Sequence, residues 1–402
     1  MPDRFDMIIV ADFRFPGGTS TAIADEVRAA RAAGLKLGAL QWDAPLFARS
    51  NRPRHPRLQD LVDRGEIVML TASQHAQTPL LVVHNPYIMT RAGMPLARIE
   101  ADTRIMVAHQ TPTDARGRLY YDPWQVEKHA AAAFGGPFVW APISPVCRDS
   151  FDRAGVDLPR LDEDWTNVIF VDDWGRPRTA PRASRPVIGR HSRVQRDKWP
   201  DGRCRILEVY PDDPGIEVRL LGVGSDVRKL VGEVPGNWTA WDFNEVAVTD
   251  FLAGIDFFVY YHHPALVEAF GRTIAEAAAA GCVCILPPHF ERTFGPAALY
   301  RPAGEAAETA RSLAGDPEAF ARQSARGRAE IDARFGPEVY RARLRRILRS
   351  GGNQAAITVA GGASKPLRVA GKRALYHTRS AARTGVRLPV RAARRLAAAI
   401  AP

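Results

Sequence analysis

Two glutamates, Glu268 and Glu276, stand eight positions apart in the run Val267-Glu-Ala-Phe-Gly-Arg-Thr-Ile-Ala-Glu-Ala-Ala-Ala-Ala-Gly281. Phe270 and Gly271 fall between them, where a loop enters an alanine-rich helix. At about 1.5 Å rise per residue, eight residues span roughly 12 Å. A carboxylate at each end accepts hydrogen bonds from hydroxyl groups. The helix N-terminus between them offers N–H groups and a positive dipole end, suited to a diphosphate. Gly271 lets such a ligand approach the backbone closely.

Other residues extend this chemistry. A diphosphate leaves only when its developing negative charge is neutralised, and Arg190 with Lys198 can supply two fixed positive charges. Arg193 and Arg196 compete with Lys198 for that part, and Arg272, just past Gly271, is a further candidate. His109, in Met106-Val-Ala-His-Gln-Thr-Pro112, ends an apolar run, where ligands bind in open α/β sheets. His84, before Asn85-Pro86, ends another run, and His262-His263 directly precedes the glutamate loop. Gly17-Gly18 precedes an expected helix. Asp172-Asp173 and Asp212-Asp213 are adjacent pairs whose members would face opposite ways in a strand, so no metal or other cofactor is expected. Cys147, Cys204, Cys282 and Cys284 lack zinc spacing and are expected as reduced thiols, with Cys282 and Cys284 as buried small apolar groups.

Short apolar runs alternating with amphipathic stretches must position these side chains, the pattern of βα units and a parallel sheet. The first half is expected to hold strands over 5–12, 35–41, 67–70, 80–84, 105–109 and 138–143, with Thr19 or Ser20 capping the first helix. A second series is expected over 187–189, 204–209, 218–222, 257–261 and 283–286, with helices at 249–252, 273–280, 303–314, 317–334 and 337–349. The domain organisation expected is 1–160, a proline-rich linker over 161–186, 187–350, and a basic tail over 351–402.

The run Glu268-Ala-Phe-Gly-Arg-Thr-Ile-Ala-Glu276 resembles the E-x7-E pattern of retaining GT-B glycosyltransferases, family 4 in particular. Val187-Ile-Gly-Arg190 with Lys198 resembles that family's diphosphate-binding element, and Val218-Arg-Leu-Leu-Gly-Val-Gly224 the strand and glycine turn that follow. Gly17-Gly18 resembles its first loop, and Ser144 with Arg148 its strand-end serine turn. The resemblance covers about residues 5–345. It implies an α/β fold of two Rossmann-like domains with parallel sheets facing across a cleft. It implies transfer of a sugar, with retention, from a nucleotide-diphosphate-sugar on the C-terminal domain to a saccharide or lipid-linked acceptor hydroxyl on the N-terminal domain, in polysaccharide, glycolipid or cell-envelope glycan synthesis. Glu268 would then bind sugar hydroxyls and Glu276 the ribose. Arg190 and Lys198 would stabilise the diphosphate, and His109 would steady the donor sugar. Phe270, Gly271, Arg272, Gly17 and Gly18 would line the donor site. The alternatives are a sugar-nucleotide 2-epimerase on the same fold, which needs further carboxylates, and a non-catalytic nucleotide-sugar or carbohydrate-binding relative.

The formal charge of +11 is localised. Residues 351–402 hold ten Lys or Arg and no Asp or Glu, leaving the remainder near neutral. Nucleic-acid binding would want basic groups interleaved with aromatics on a folded face, whereas this tail has one aromatic, Tyr376. Arg383, Arg387, Arg391, Arg394 and Arg395 among Ala, Val and Leu suit a helix lying on an anionic membrane surface, interrupted at Pro389. A solvated, disordered tail is the alternative. No membrane-spanning run and no secretory signal are evident, so the expected location is the cytoplasm or the inner membrane face.

Overall fold

Met7-Ile-Ile-Val-Ala11 carries no polar alternation, and every residue in it is buried. A strand of that kind needs cover on both faces, which parallel sheets obtain from crossover helices. The computed structural model, which describes residues 1–48, 50–350, 358–359 and 366–384, builds two such sheets. The first unit contains β1 Asp3–Arg4, β2 Met7–Ala11, α1 Gly18–Ala32, β3 Leu37–Gln41, α2 Pro56–Asp63, β4 Val68–Met69, β5 His75–His84, β6 Arg98–Ala108, α3 Pro123–Phe134, β7 Val139–Pro142, α4 Pro145–Ala154 and β8 Arg160–Leu161. The parallel order is β8-β7-β6-β5-β2-β3-β4, with β1 against β5. The chain leaves β2 toward β3 and β4, then returns to β5 on the other side. The reversal point therefore lies between the carboxyl ends of β2 and β5.

The second unit contains β9 Val187–His191, α5 Gly202–Val209, β10 Glu217–Leu221, α6 Ser225–Val231, β11 Trp238–Trp241, α7 Val248–Ala253, β12 Phe257–Val259, α8 Arg272–Ala279, β13 Val283–Leu286, α9 Glu291–Phe294, β14 Ala298–Tyr300, α10 Ala306–Ala314 and α11 Pro317–Phe335. Its parallel order is β11-β10-β9-β12-β13-β14, so its reversal point lies between β9 and β12. The core on one side gathers Ile188, Val218, Leu220, Phe257, Val259 and Ile285 from the strands against Ile206, Val209, Ala310 and Phe320 from the helices.

The units divide the chain differently from the expected boundaries at 160, 187 and 350. The first comprises Met1–Thr166, Val267–Phe270 and the described residues from Arg341; the second comprises Asn167–Leu266 and Gly271–Tyr340. Most of the stretch expected as a linker is fastened to the second unit. Arg178 donates to the carbonyl of Leu252 at 2.6 Å, the Arg178 amide donates to Ser324 Oγ at 2.8 Å, and the Arg182 amide donates to the buried Asp256 at 3.1 Å. A last helix, α12 Pro337–Arg349, crosses into the first unit, where the buried Arg343 lies over the Trp165 ring at 5.4 Å and Arg346 pairs with Glu163 at 2.7 Å.

Residues 204–209, expected as a strand, belong to α5. Its core-facing side chains, Ile206 and Val209, are three apart, a helical spacing that a short apolar run cannot distinguish from a strand. The tail contains a helix, α13 Pro366–Thr384. It docks on the first unit through Asp122, whose Oδ2 accepts from Arg373 Nε at 2.9 Å and His377 Nε2 at 2.8 Å. Arg387, Arg391, Arg394, Arg395 and Pro389 lie outside the described residues. Among the described residues no helix is long and apolar enough to cross a membrane.

Candidate active site

At the reversal point of the first unit, β2 runs into Asp12. Burial alone would raise its pKa, but hydrogen bonds from Arg14, the Ala44 amide and Gln41 hold it below the usual carboxylate value. Those bonds brace the turn that leads to Gly17, whose φ of 83° makes it the N-cap of α1. Neither Thr19 nor Ser20 caps this helix; Ser20 Oγ donates back to the Phe15 carbonyl at 2.7 Å. Gly18 has open space where a Cβ would stand.

β5 ends in His84, His109 directly follows β6, and the two rings meet. His84 Nδ1 lies 2.9 Å from His109 Nε2. On its other side, His84 Nε2 faces Glu26 Oε2 at 3.5 Å, and Glu26 Oε1 accepts from Trp165 Nε1 at 3.1 Å. Burial, with His109 second, pushes the His84 pKa well below its ordinary value, so the ring is neutral. A carboxylate facing Nε2 favours the proton there, which leaves His84 Nδ1 as acceptor and His109 Nε2–H as donor. His109 then carries its lone pair on Nδ1, the form that accepts a hydroxyl proton. Sequence reasoning missed Glu26. Its signal is a carboxylate four residues after Ala22 and four before Ala30, on the buried face of α1.

In the second unit, Gly271 caps α8 with φ 88°, and a Cβ there would stand 2.9 Å from Ile274 Cδ1, so the turn requires glycine. Because the helix begins at Arg272, half of the eight-residue spacing from Glu268 to Glu276 is loop, and the 12 Å helical estimate does not apply. Glu276 is buried, and its Oε1 accepts from Arg272 Nε at 2.8 Å. Arg272 also reaches the Val168 carbonyl at 3.4 Å, which ties this guanidinium to the protein where a diphosphate contact had been expected. His191, at the end of β9, brings Nε2 to 3.9 Å from Glu276 Oε2. Sequence reasoning missed it, although a histidine directly after Gly189-Arg190 at a strand end is visible.

Arg190, expected at the diphosphate, is directed into the protein. Its side chain is fully buried, with the guanidinium 4.3 Å from the Trp199 ring centroid and 4.6 Å from that of Tyr260. Nη1 donates to the Tyr261 carbonyl at 2.9 Å and Nη2 to the Lys198 carbonyl at 2.7 Å. A planar, weakly hydrated cation suits that sandwich, and both of its Nη groups are directed at backbone. Arg196 likewise binds its own loop, at the carbonyls of Trp199 and Pro200 and at Asp201. Arg193 is exposed, and Lys198 is half-buried in a single turn. The loops after β9 and β10 interlock, since a Cβ on Gly222 would stand 1.9 Å from the Ser192 carbonyl oxygen. That close approach accounts for the glycine turn.

Glu268 is half-buried and Phe270 buried in the strip Val267–Phe270, which packs with the first unit. There Ser144 donates to the Ala269 carbonyl and accepts the Cys147 N–H at 3.0 Å as N-cap of α4. Arg148 pairs with Asp164 at 2.8 Å. His262 Nε2 lies 3.2 Å from His289 Nε2, and His263 accepts from the Ala265 amide at 3.0 Å. Among the described residues no three His, Cys, Asp or Glu side chains gather as they would around a metal ion.

No family model and no curated protein matches the sequence. Solved structures do resemble the fold. HepE from Anabaena, in complex with UDP and glucose, is 13% identical, with 86% of this chain and 99% of that one covered and a TM-score of 0.58. A glycosyltransferase from Rickettsia africae is 14% identical, with 87% and 98% covered and a TM-score of 0.54. AviGT4, a glycosyltransferase involved in avilamycin A biosynthesis, is 12% identical, with 88% and 99% covered and a TM-score of 0.53. At such identities the likeness is one of architecture, and with two parallel α/β units in hand the chain has the GT-B fold in which these glycosyltransferases are built.

Proposed function

We propose that this protein is a glycosyltransferase, moving a sugar with retention from a nucleotide-diphosphate-sugar to an acceptor hydroxyl. The observation that carries the reading is the reversal point of the second unit. There a glycine-capped helix delivers a buried carboxylate, Glu276, fixed by Arg272 and set beside a strand-end histidine. The complexes of HepE with UDP and with UDP-glucose support a nucleotide-sugar as the ligand class.

In this reading Glu276 takes the ribose and Glu268 the sugar hydroxyls. The diphosphate lies at the α8 N-terminus with Lys198 nearby. Arg190 works indirectly, because its bond to the Lys198 carbonyl sets the backbone of that turn. His109, held as an acceptor by His84, steadies a sugar hydroxyl. Retention is assigned to front-face attack, in which the departing phosphate takes the acceptor proton. Lys198 and the N–H groups at the α8 N-terminus take the part of a metal ion. The acceptor is a saccharide or a lipid-linked sugar, and the basic tail places the enzyme on an anionic membrane face.

A panel of nucleotide-sugars in a thermal-shift assay identifies the donor, since a ligand of the native state raises the unfolding temperature. Glu268→Ala should then abolish transfer while the fold stays intact; full turnover by that variant would refute the role. The withdrawal of Arg190 from any phosphate favours one second reading, a non-catalytic nucleotide-sugar-binding relative. Donor that binds yet is neither transferred nor slowly hydrolysed would select it.

A further inference from the structure

Residues 109–122 join β6 to α3 and leave the carboxyl end of their strand, the end at which open α/β sheets bind ligands. This loop is bonded to itself along its length. Thr113 and Leu119 form an antiparallel bridge, and the Tyr120 amide donates to the Pro112 carbonyl at 2.8 Å. The Tyr121 hydroxyl donates to the Gln110 carbonyl at 3.1 Å, next to His109. The hairpin so made presents Arg116 and Tyr120 at the surface.

The loop ends at Asp122, whose side chain is fully buried. Its Oδ1 caps α3 by accepting the Trp124 and Gln125 amides at 3.1 and 3.2 Å. Its Oδ2 takes its donors from the tail, Arg373 Nε at 2.9 Å and His377 Nε2 at 2.8 Å. One carboxylate thus ties the loop, α3 and α13 together. Arg373 also lies over the Trp124 ring at 5.1 Å. Lys372 Nζ donates at 3.1 Å to the Arg153 carbonyl in the last turn of α4, where a helix favours a cation. Ahead of α13 a short strand, β15 Thr358–Val359, adds antiparallel to β8 at the edge of the first sheet. At the head of α3 the helix dipole opposes a cation, so the charge on Asp122 is what keeps Arg373 there.

We propose that Asp122 is a positioning residue, through which α13 holds the loop 109–121 in the form that receives the acceptor sugar. The tail then contributes to acceptor binding through the loop and leaves the donor side unchanged. The inference rests on the reading of the protein as a glycosyltransferase with its acceptor on the first unit.

The test uses full-length Asp122→Asn, which keeps a capping oxygen but turns an amide toward Arg373 and His377. Arg373→Gln and the conservative Arg373→Lys accompany it. Hydrogen exchange read by mass spectrometry follows residues 109–121, with β2 as the internal reference. UDP-glucose, ADP-glucose and GDP-mannose are the donor probes, and p-nitrophenyl glycosides are the acceptor probes. In Asp122→Asn and Arg373→Gln the loop should exchange about tenfold faster while β2 is unaltered. KM for the glycoside should rise about fivefold, and donor hydrolysis without acceptor should stay within about twofold of wild type. Arg373→Lys should recover most of both. Unchanged exchange of 109–121 in both variants overturns the positioning, as does an equal loss of donor hydrolysis and transfer, which marks a general weakening of the fold. An unchanged KM, or no transfer by wild type where the donor is hydrolysed, overturns the acceptor role alone. Failure of wild type to hydrolyse or transfer any of the three donors overturns the glycosyltransferase reading and the acceptor role with it.

Discussion

His84 Nδ1 lies 2.9 Å from His109 Nε2, which joins the carboxyl ends of two adjacent parallel strands through their imidazoles. With Glu26 behind His84, the pair forms a buried line that ends at the ring expected to meet the sugar. His84→Leu removes the acceptor and lets the His109 ring turn. It should lower kcat on the order of 10²-fold. KM should change by less than about threefold, because the lost interaction orients and does not bind. His84→Asn, whose Oδ1 stands where Nδ1 did, should keep most of the activity. Steady-state kinetics of the two variants decides the matter; wild-type kcat in His84→Leu would leave the pair without a functional role.

Arg190 is expected to matter for stability before it matters for binding. Arg190→Met forfeits two stacking contacts and two hydrogen bonds to carbonyls that would be left unpaired, a loss of about 2–4 kcal/mol. Denaturant unfolding should show it as a lowered midpoint with an unchanged slope. An unaltered midpoint together with lost nucleotide binding would return Arg190 to the phosphate site.

Gly222 allows the loops after β9 and β10 to touch. Alanine there meets a backbone oxygen and sits at φ +89°, so one loop must give way. The expected cost is about 2–4 kcal/mol, read as a fall in the thermal midpoint. Tolerance of Gly222→Ala would mean that the Ser192 carbonyl is not held against this turn.

His191 should make the fold acid-labile. Its pKa is about 3 in the native state against an ordinary 6.5. Above pH 6.5 both native and unfolded forms are neutral and its contribution is constant. As pH falls below 6.5 the unfolded chain takes up a proton that the native ring refuses, and stability declines until about pH 3. His191→Gln should therefore lose less stability than wild type between pH 7.5 and pH 4, by about 3 kcal/mol. Parallel slopes of unfolding free energy against pH in the two proteins would contradict this.

The strands and the glycine-capped helix were legible because they are local. Met7–Ala11 and Val283–Leu286 are uninterrupted apolar runs, and Gly271 sits where a loop must turn. The carboxyl-end histidines were legible for the same reason. What the sequence did not show is where a long side chain goes. Arg190 follows the expected glycine, yet whether its guanidinium meets solvent or a sandwich depends on Trp199 and Tyr260, which lie nine and seventy positions away. Glu26, on the alanine-lined face of α1, is given its place only by the His84 and Trp165 side chains that close on it. Residues 161–186 read as a linker, with proline and arginine crowded toward their end, but Arg178 and Arg182 find carbonyls and a buried Asp256 that only the tertiary fold assembles.

The crossing of α12 has a consequence for the order in which the protein can be finished during synthesis. Trp165, whose indole holds Glu26, is covered by Arg343, and Asp122 at the head of α3 receives Arg373 and His377. A nascent N-terminal unit emerging from the ribosome therefore lacks these partners until the whole second sheet has been translated. Its sheet can collapse early, but the Glu26–His84–His109 line gains its Arg343 cover only after residue 343 is out, so the two halves mature together and not in sequence.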